Sequence, residues 1–513
     1  MKKLKALLCI LLASALAGLC ACGNGGEATP ENPQEPEAAS EPADKTALNA
    51  AIAAAEGLST EGSLTAGYLE RTISEAKAVS ADDSATQKEA DEMTEKLGFA
   101  SEGLYSGADF KDPSEIKADE RVPDPFQFLS GGFVDSEAEW VKRAAEISAA
   151  YQHYMYGTYR DGSDEEVSYT LKGNGGNSYS LTVNIKRIST GKEGSFTATV
   201  LMPDPSVEAP EGGYPVIVGM HAGISEDVAN KNGYATITVD MFSYGIASDD
   251  TQHKGVFYDL YPYGPEPEEQ TGVLMAWGWG CSKIIDALEA GLGEELNISP
   301  VNTIVTGVSR WGKAAIVCGA FDHRFKMVAP SCSGAGGVAL YRYTSEGKTY
   351  DFSSKGADSA YKYGQNEPIG SLQSSGERGW FNDMFLKFKT PESLPLDQHE
   401  LCSLVADKDR YLFIIGSCIY EDWVNAPSMW YSYLGTKEVY KALGIEDNIA
   451  INIHQQGHAV IAEDIEYITD YFDYHVYGKA PDHDLDDLKT SVFELEANVD
   501  HGMDDFCSWW LAP

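Results

Sequence analysis

The chain has 513 residues, of which 43% are hydrophobic, and this is enough for one large folded domain with smaller additions. Its 79 acidic and 38 basic residues give a formal net charge of -41. So negative a surface repels phosphate backbones, which argues against nucleic acid as a partner.

The first 22 residues have the pattern of a bacterial lipoprotein signal peptide. The basic "MKKLK" is followed by the apolar "ALLCILLASALAG", which is short for a membrane span. The "LCAC" that ends at Cys22 resembles a lipobox, and the resemblance implies a lipid on Cys22 that anchors the chain in the membrane. A plain secretory signal is the alternative. We therefore expect the mature protein at the extracellular face of the bacterial cell membrane.

Two segments separate this signal from the main domain. Residues 23–44 are rich in Pro and Glu and predict a disordered tether. Residues 45–106 repeat apolar side chains at spacings of three and four, as at Leu48, Ile52 and Ala55, which predicts a small N-terminal helical bundle of three helices. The bundle resembles short modules of bacterial surface proteins that are sometimes credited with sugar binding, and a helical spacer is the alternative.

Residues 112–485 alternate between strand and helix patterns. "YPVIVGM", "GYATITVD", "VNTIVTGV", "FKMVAP" and "RYLFIIG" are short, apolar and rich in β-branched residues, as buried parallel strands are. Helical patterns such as "RWGKAAIVCGAF" lie between them. The fold class expected is α/β, a doubly wound and mostly parallel sheet with helices on both faces. Residues 486–513 are acidic and aromatic and predict a C-terminal appendage.

The cysteines do not have the spacing of a metal site. Outside the signal, none of the six follows a C-x-x-C pattern, so we expect no zinc, no other metal and no cofactor. The six are Cys281, Cys318, Cys332, Cys402, Cys418 and Cys507.

The stretch "VTGVSRWGKAA" places Ser309 between a predicted strand and a predicted helix. An α/β-hydrolase carries its nucleophile on such a turn, where small neighbours let the backbone pass closely. Gly307 precedes the serine by two residues, but the second glycine, Gly312, stands one place later than in the usual G-x-S-x-G motif. Taken alone, this motif is consistent with Ser309 as a nucleophile and with Ser309 as an ordinary turn serine.

The histidine of such a site follows the last strand. "INIHQQGHAV" provides a strand, a glycine turn and His458, which we interpret as the general base. His454 alternates with Ile451 and Ile453, so we interpret it as structural. His221 follows an early strand and either lines the pocket or caps a turn.

Several stretches together resemble carbohydrate esterase family 15, the glucuronoyl esterases. They are "GVSRWGKAA", "GAFDHRF", "PSCSGAGG", "MHAGI", "DMFSYGIASDD", "LMAWGWGCSKIIDALE", "GERGWFNDMF" and "IHQQGHAV". The resemblance covers roughly residues 120–480 and implies an α/β-hydrolase fold. It also implies cleavage of the ester between glucuronic acid on xylan and a lignin alcohol.

Matched to the family's motifs, single residues acquire expected roles. Ser309 matches the nucleophile and Arg310 the arginine that helps to stabilise the oxyanion. Lys313 matches the lysine that holds hydroxyls of the glucuronate ring, one helical turn after the serine. Glu367 and Trp423 resemble the family's sugar-contacting glutamate and tryptophan, against the alternatives of a loop carboxylate and a packed aromatic.

The catalytic acid departs from the family pattern. Where relatives carry a glutamate in P-x-E-S-G-x-G-G, this chain has Cys332, and a thiol makes no charged hydrogen bond to an imidazolium. The loop after the strand in "RYLFIIGSCIYEDW" carries two carboxylates where most α/β-hydrolases keep their acid. We expect Glu421 to be the acid, as in some bacterial relatives, with Asp422 as the alternative.

The expected function is therefore that of a serine esterase acting on (4-O-methyl-)glucuronic acid esters of lignin alcohols in glucuronoxylan. One alternative is an acetyl or feruloyl xylan esterase on the same fold. Another is an inactive glycan-binding surface lipoprotein. The expected partners are the polysaccharide ester and the membrane lipid, and the chain is expected to be a monomer.

Overall fold

The computed structural model describes residues 43–221, 223–241, 245–350 and 360–489. The predicted signal peptide with Cys22, almost all of the tether and most of the C-terminal appendage with Cys507 lie outside the described residues. Within them, no helix has both the length and the apolar character needed to cross a membrane.

The strands run through the chain from residue 165 to residue 454. They are β1 (Glu165–Gly175), β2 (Ser178–Arg187), β3 (Glu193–Leu201), β4 (Tyr214–Met220), β5 (Ala235–Val239), β6 (Ile298–Val308), β7 (Met327–Ser331), β8 (Thr349–Tyr350), β9 (Tyr361–Lys362), β10 (Tyr411–Ser417) and β11 (Ile449–His454).

The helices fall into an N-terminal group and a group around the sheet. The first are α1 (Thr46–Glu56), α2 (Ala66–Ala81) and α3 (Gln87–Glu102). The others are α4 (Trp140–Tyr151), α5 (Glu226–Lys231), α6 (Val256–Leu260), α7 (Val273–Ala287), α8 (Gly293–Leu296), α9 (Arg310–Phe321), α10 (Ile369–Leu372), α11 (Gln398–Ser403), α12 (Ala426–Ala442) and α13 (Ala462–Tyr477).

Nine of these strands form one sheet, in the order β1-β2-β3-β5-β4-β6-β7-β10-β11. The six neighbouring strands β5, β4, β6, β7, β10 and β11 pair in parallel. The strands β1, β2 and β3 extend this sheet beyond β5 with antiparallel pairs. The expected α/β-hydrolase fold class is confirmed. The sequence patterns did not predict β1, an edge strand whose side chains are at most half-buried.

Side chains on both faces of the parallel strands are buried, as parallel strands require. Alternation along each strand sends neighbouring residues to opposite faces. Ile217 packs in the cluster that contains Ile465 and Phe472 of α13, while Val216 and Val218 belong to the larger core with α7 and α9. The sheet is thus fixed on both sides, and the chemistry is carried by the loops at its edge.

The N-terminal helices form the predicted bundle and pack against the main α/β domain. Leu48, Ile52 and Ala55 of α1 are buried. The amide of Gln152, just after α4, donates to the carbonyl of Leu64 at 2.8 Å. The ammonium of Lys142 pairs with the carboxylate of Glu102 at 2.5 Å. The bundle is therefore attached to α4 and the residue that follows it by contacts at both ends of that helix.

Candidate active site

The backbone at Ser309 forms a strained turn between β6 and α9. Its φ of 62° and ψ of -125° lie where residues other than glycine are rarely found. Such a conformation costs about 1–3 kcal/mol and is retained where the surroundings enforce it. The amide of Ser309 donates to the carbonyl of Ser331 at the end of β7, at 3.0 Å. A strained serine between a strand and a helix has the geometry of the nucleophile elbow of α/β-hydrolases.

Two glycines let the elbow close. A Cβ on Gly307 would lie 2.6 Å from the carbonyl oxygen of Trp311, and one on Gly312 would lie 2.3 Å from the carbonyl oxygen of Ser331. Any side chain at either position would collide with backbone. The displaced second glycine therefore serves to bring α9 against the end of β7.

Glu421 and His458 meet beyond the ends of β10 and β11. Because β6, β7, β10 and β11 are parallel neighbours, the loops that follow them emerge at one edge of the sheet. His458 Nδ1 lies 2.8 Å from Glu421 Oε2, although the ring N–H is not aligned as a hydrogen bond. The Glu421 side chain is 7% exposed and that of His458 41%. A buried carboxylate thus contacts an accessible imidazole.

The hydroxyl of Ser309 makes no hydrogen bond to any residue that the structure describes. Nucleophile and base are often apart in a substrate-free site and come into contact when substrate binds. The loop of His458 is held firmly, because the amide of Gly457 donates to the hydroxyl of Ser417 at 3.0 Å.

Both ring nitrogens of His454 contact the backbone of this loop, so His454 has a structural role and is not placed as a base. Its Nε2 lies 3.1 Å from the carbonyl oxygen of Ala459, and its Nδ1 accepts from the amide of Gln456 at 3.2 Å. Burial lowers the pKa of His454, so the ring is neutral and can serve both contacts at once. His454 thus connects the two ends of the His458 loop, at Gln456 and Ala459.

Asp422 points away from His458. A Cβ on Gly364 would lie 2.9 Å from Asp422 Oδ2, so the carboxylate lies against the segment after β9. Burial, followed by a hydrogen bond to Asp422, raises the pKa of Tyr361 to about 12. Of the two candidate acids, the structure therefore brings Glu421 and not Asp422 to the imidazole.

Cys332 lies behind the same histidine loop. It is fully buried, its φ of 42° is left-handed, and its Sγ lies 4.0 Å from the carbonyl oxygen of Ala459. Burial and the charge of Glu421 raise the pKa of the thiol to about 12. A neutral thiol gives the imidazolium no charged partner. Cys332 lies near Glu421, at the position of the glutamate in the family's motif.

Lys313 and Glu367 form a buried ion pair on the other side of the elbow. Lys313 Nζ lies 2.6 Å from Glu367 Oε2 and also 2.6 Å from the carbonyl oxygens of Ser333 and Ala335. Three acceptors fix the ammonium in one position. The backbone amide of Glu367 donates to the carbonyl of Trp423 at 2.9 Å, which ties the main chain of Trp423 to this pair, and the Trp423 indole is partly exposed.

Arg310 and His221 lie close to the turn at Ser309. Arg310 Nη1 lies 2.5 Å from Asp249 Oδ2, and its guanidinium lies over the ring of Trp380. The imidazole of His221 packs on Trp311, with ring centroids 4.5 Å apart. Asp249 and Trp380 were not predicted as site residues, although both occur inside stretches that carry the family resemblance.

Metal ligands are not grouped in the described part of the chain, where no cluster of three or more His, Cys, Asp or Glu side chains could hold an ion. What the geometry provides is a strained serine, a histidine paired with a buried carboxylate, a partly exposed arginine and a buried lysine–glutamate pair. This set can carry out acyl transfer from an ester with a polar acyl group.

Comparison with known proteins agrees with this chemistry. A family model described as "Glucuronyl esterase, fungi" matches residues 185–444. A "Multidomain esterase" of Ruminococcus flavefaciens is 59% identical over 423 residues, which are 82% of this chain. The chain spans only about half, 54%, of that relative's length.

Two further relatives are covered over most of their length. A "4-O-methyl-glucuronoyl methylesterase" of Neurospora crassa is 30% identical over 70% of this chain and 84% of its own. The structure of a carbohydrate esterase family 15 glucuronoyl esterase from Caldicellulosiruptor kristjansonii superposes with a TM-score of 0.65. It is 39% identical and is matched over 75% of this chain and 97% of its own. The chain belongs to carbohydrate esterase family 15, the glucuronoyl esterases.

Proposed function

We propose that the chain hydrolyses the ester between (4-O-methyl-)glucuronic acid on glucuronoxylan and lignin alcohols. The observation that carries this substrate is the buried pair of Lys313 and Glu367, one helical turn from the nucleophile. A buried pair of opposite charges is costly to maintain for stability alone, which favours a binding role. An acyl group rich in hydroxyls suits the pair, since a hydroxyl can donate to the Glu367 carboxylate. It can accept from the Lys313 ammonium only by replacing one of the three protein acceptors, because an ammonium has three N–H donors. The name of the Neurospora crassa relative describes the same ester class.

The proposed reaction begins at Ser309. His458 takes the proton of the serine hydroxyl, and Ser309 Oγ attacks the ester carbonyl. The tetrahedral oxyanion is stabilised by the backbone N–H of Arg310, which follows the nucleophile, and by the guanidinium of the same residue. His458 then donates the proton to the leaving alcohol, and an acyl-enzyme remains on Ser309.

Water completes the turnover on the acyl-enzyme. His458 removes a proton from the water as it attacks the acyl carbonyl, and then returns that proton to Ser309 as the free glucuronate leaves. Throughout both steps Glu421 holds the imidazole at Nδ1 and stabilises its positive charge. Because its side chain is buried, this carboxylate faces little competition from water for the imidazole.

Substrate recognition is proposed for the group on the opposite side of the elbow. Lys313 and Glu367 bind ring hydroxyls, and the partly exposed indole of Trp423 covers a face of the sugar. An acetyl group has no hydroxyl for the buried Lys313–Glu367 pair, and a feruloyl group has a single phenolic hydroxyl far from its ester carbonyl, whereas a glucuronoyl ring carries several close to it. For this reason we place the glucuronoyl ester ahead of the other xylan esters.

The cellular location is proposed from the N-terminal sequence. Processing at the lipobox would leave Cys22 as the lipidated first residue, with the esterase domain tethered outside the cell membrane as a monomer. Mass spectrometry of the mature N-terminus tests the lipid. If Cys22→Ala remains in the membrane fraction as the wild type does, the anchor at Cys22 is wrong.

The decisive test of function is Ser309→Ala assayed on benzyl and methyl glucuronate. We expect the rate to fall by about 10⁴-fold or more, because no other group can form the acyl-enzyme. The release of glucuronic acid measures the rate, and the melting temperature checks that the variant is folded. Wild-type turnover in Ser309→Ala would contradict the assignment of the nucleophile.

A further inference from the structure

The carboxylate of Asp249 joins two residues that are far apart in the chain. Its Oδ2 accepts from Arg310 Nη1 at 2.5 Å, and its Oδ1 accepts from the indole Nε1–H of Trp380 at 2.6 Å. The guanidinium carbon of Arg310 lies 5.2 Å from the centre of the Trp380 ring. Arg310 is therefore held at one end by a charge and along its face by an aromatic ring.

Both residues that hold Arg310 are themselves well anchored. Trp380 is 2% exposed, and the side-chain amide of Asn382 beside it donates to the carbonyls of Gln152 and His153. In the loop of Asp249, the neighbouring Asp250 accepts from the hydroxyl of Ser248 at 2.7 Å. The bridge thus joins two fixed segments to the first residue of α9.

The other edge of the guanidinium remains available. Among the described residues, Nε and Nη2 of Arg310 have no hydrogen-bond partner, and the side chain is partly exposed. Partly exposed ion pairs contribute little to folding stability. The arrangement therefore does more for the orientation of Arg310 than for the stability of the fold.

We propose that Asp249 and Trp380 are positioning residues that hold Arg310 ready for the oxyanion formed at Ser309. An oxyanion is stabilised most by donors that are already in place when charge develops, since they need no reorganisation. A free arginine side chain has many rotamers, whereas this one is restrained at Nη1 and along its face. Asp249 and Trp380 act through Arg310 and do not contact the substrate. This inference rests on the proposed function.

The test compares Asp249→Ala and Trp380→Phe with the wild type. Phenylalanine keeps the aromatic face but removes the N–H that fixes Asp249. We expect kcat to fall about 10- to 100-fold for Asp249→Ala and about 3- to 10-fold for Trp380→Phe, because one donor to the oxyanion loses its orientation. KM for methyl glucuronate should change less than twofold, because Lys313 and Glu367 are untouched.

A double-mutant comparison separates positioning from a general structural role. In an Arg310→Ala background, Asp249→Ala and Trp380→Phe should cause no further loss of kcat, because the residue they position is gone. The matched control is Asp250→Asn, which changes the neighbouring carboxylate on the same loop and should leave kcat within twofold. Equal losses with and without Arg310, or wild-type kcat in both single variants, would overturn the proposal.

A second substrate keeps this test distinct from that of the proposed function. Hydrolysis of 4-nitrophenyl acetate needs the nucleophile, the base and the oxyanion donors, but no sugar contact. If the wild type cleaves the acetate and not the glucuronates, the proposed substrate fails while the role of Asp249 is still measured on the acetate. If the wild type cleaves neither ester, there is no oxyanion for Arg310 to stabilise and the inference fails too.

Discussion

The elbow at Ser309 and the loop that carries Glu421 both follow parallel strands, but they are built in different ways. The elbow is local, since Gly307, Gly312 and the start of α9 define it within a few residues. The acid loop depends on a distant segment. The side-chain amide of Asn366 donates to the carbonyl of Asp422 at 2.7 Å, and the backbone amide of Glu367 donates to the carbonyl of Trp423. The proposed nucleophile is thus fixed by its own turn, and the proposed acid by its neighbours in space.

This difference explains how the acid can leave the family position. β7 and β10 are adjacent, and the amide of Cys332 donates to the carbonyl of Ile415 at 2.9 Å. The loops after these two strands therefore approach the His458 loop from neighbouring sides. Cys332 lies against Ala459, and Glu421 contacts His458 itself. We therefore expect that a carboxylate after either strand can reach one imidazole, whereas the position of the serine is set by its own turn.

In the acid loop, the largest effect is expected from Glu421→Gln. The amide keeps the shape of the side chain but provides no charge to stabilise the imidazolium, so kcat should fall by about 10²- to 10⁴-fold. The hydrolysis of benzyl glucuronate measures this change, with KM expected to stay within a few-fold.

Asp422→Asn is the matched control on the same loop. Its carboxylate lies toward Gly364 and Tyr361, so kcat should fall less than about fivefold. If Asp422→Asn lost more activity than Glu421→Gln, the acid would be Asp422 and the contact between Glu421 and His458 would have no catalytic role.

Lys313→Met probes the other side of the elbow. It leaves the buried carboxylate of Glu367 without its cation, so we expect a loss of about 3–5 kcal/mol in the free energy of unfolding. We also expect kcat/KM on methyl glucuronate to fall about 100-fold, because the ammonium no longer holds the Glu367 carboxylate in place for the ring hydroxyls.

The double variant Lys313→Met/Glu367→Gln checks the reason for that loss. Removing both charges should recover much of the stability but little of kcat/KM, because the buried carboxylate is no longer unpaired while the sugar contacts are missing. Melting temperature and kinetics are measured on the same samples. Full recovery of activity in the double variant would exclude the pair from substrate binding.

A smaller effect tests whether the two acid positions are equivalent. In the Glu421→Gln background, Cys332→Glu places a carboxylate where the family pattern has one, behind the same histidine loop. We expect about a tenfold recovery of kcat, limited by the larger side chain in a fully buried place. As the control, Cys332→Gln in the same background should recover nothing. Equal rates for the two double variants would mean that the place of Cys332 does not reach the imidazole.

Particular residues show how far the sequence could predict this molecule. The strand pattern "YPVIVGM" coincides with β4, and the elbow was located from its glycines, because both depend on local spacing. The choice between Glu421 and Asp422 depends on which way the loop turns. Tyr420 and Asn425 have left-handed φ values of 59° and 54° that no spacing rule gives.

The bridge from Arg310 to Trp380 shows the same limit on a larger scale. Asp249 and Trp380 are 131 residues apart in the chain and meet only when the sheet has brought their loops to one edge. Periodicity and motifs describe neighbours along the chain, whereas this contact depends on tertiary packing. The sequence placed both residues in stretches that carry the family resemblance but gave neither of them a role.

The smallest effect is expected from Cys332→Ala. A neutral thiol that does not contact the imidazole contributes nothing to its charge, so kcat should stay within about twofold of the wild type. The thiol should also react slowly with iodoacetamide at pH 8 in the folded protein, because burial keeps it protonated. A kcat reduced tenfold or more, with the melting temperature unchanged, would give Cys332 a catalytic part.

The alkaline stability of the same variant provides an independent check. Burial raises the pKa of the thiol to about 12 in the folded chain, against about 8.5 for a free thiol. Between these two pH values the folded state therefore keeps a proton that the unfolded state has lost. The stability that this proton confers is present below about pH 8.5 and is lost as pH rises toward 12. Between pH 8 and 10 the free energy of unfolding should therefore fall about 1–2 kcal/mol more in the wild type than in Cys332→Ala. If the free energies of unfolding of the wild type and Cys332→Ala changed equally with pH, the thiol would ionise as a free thiol does. Its surroundings would then be hydrated enough to hold a charged carboxylate.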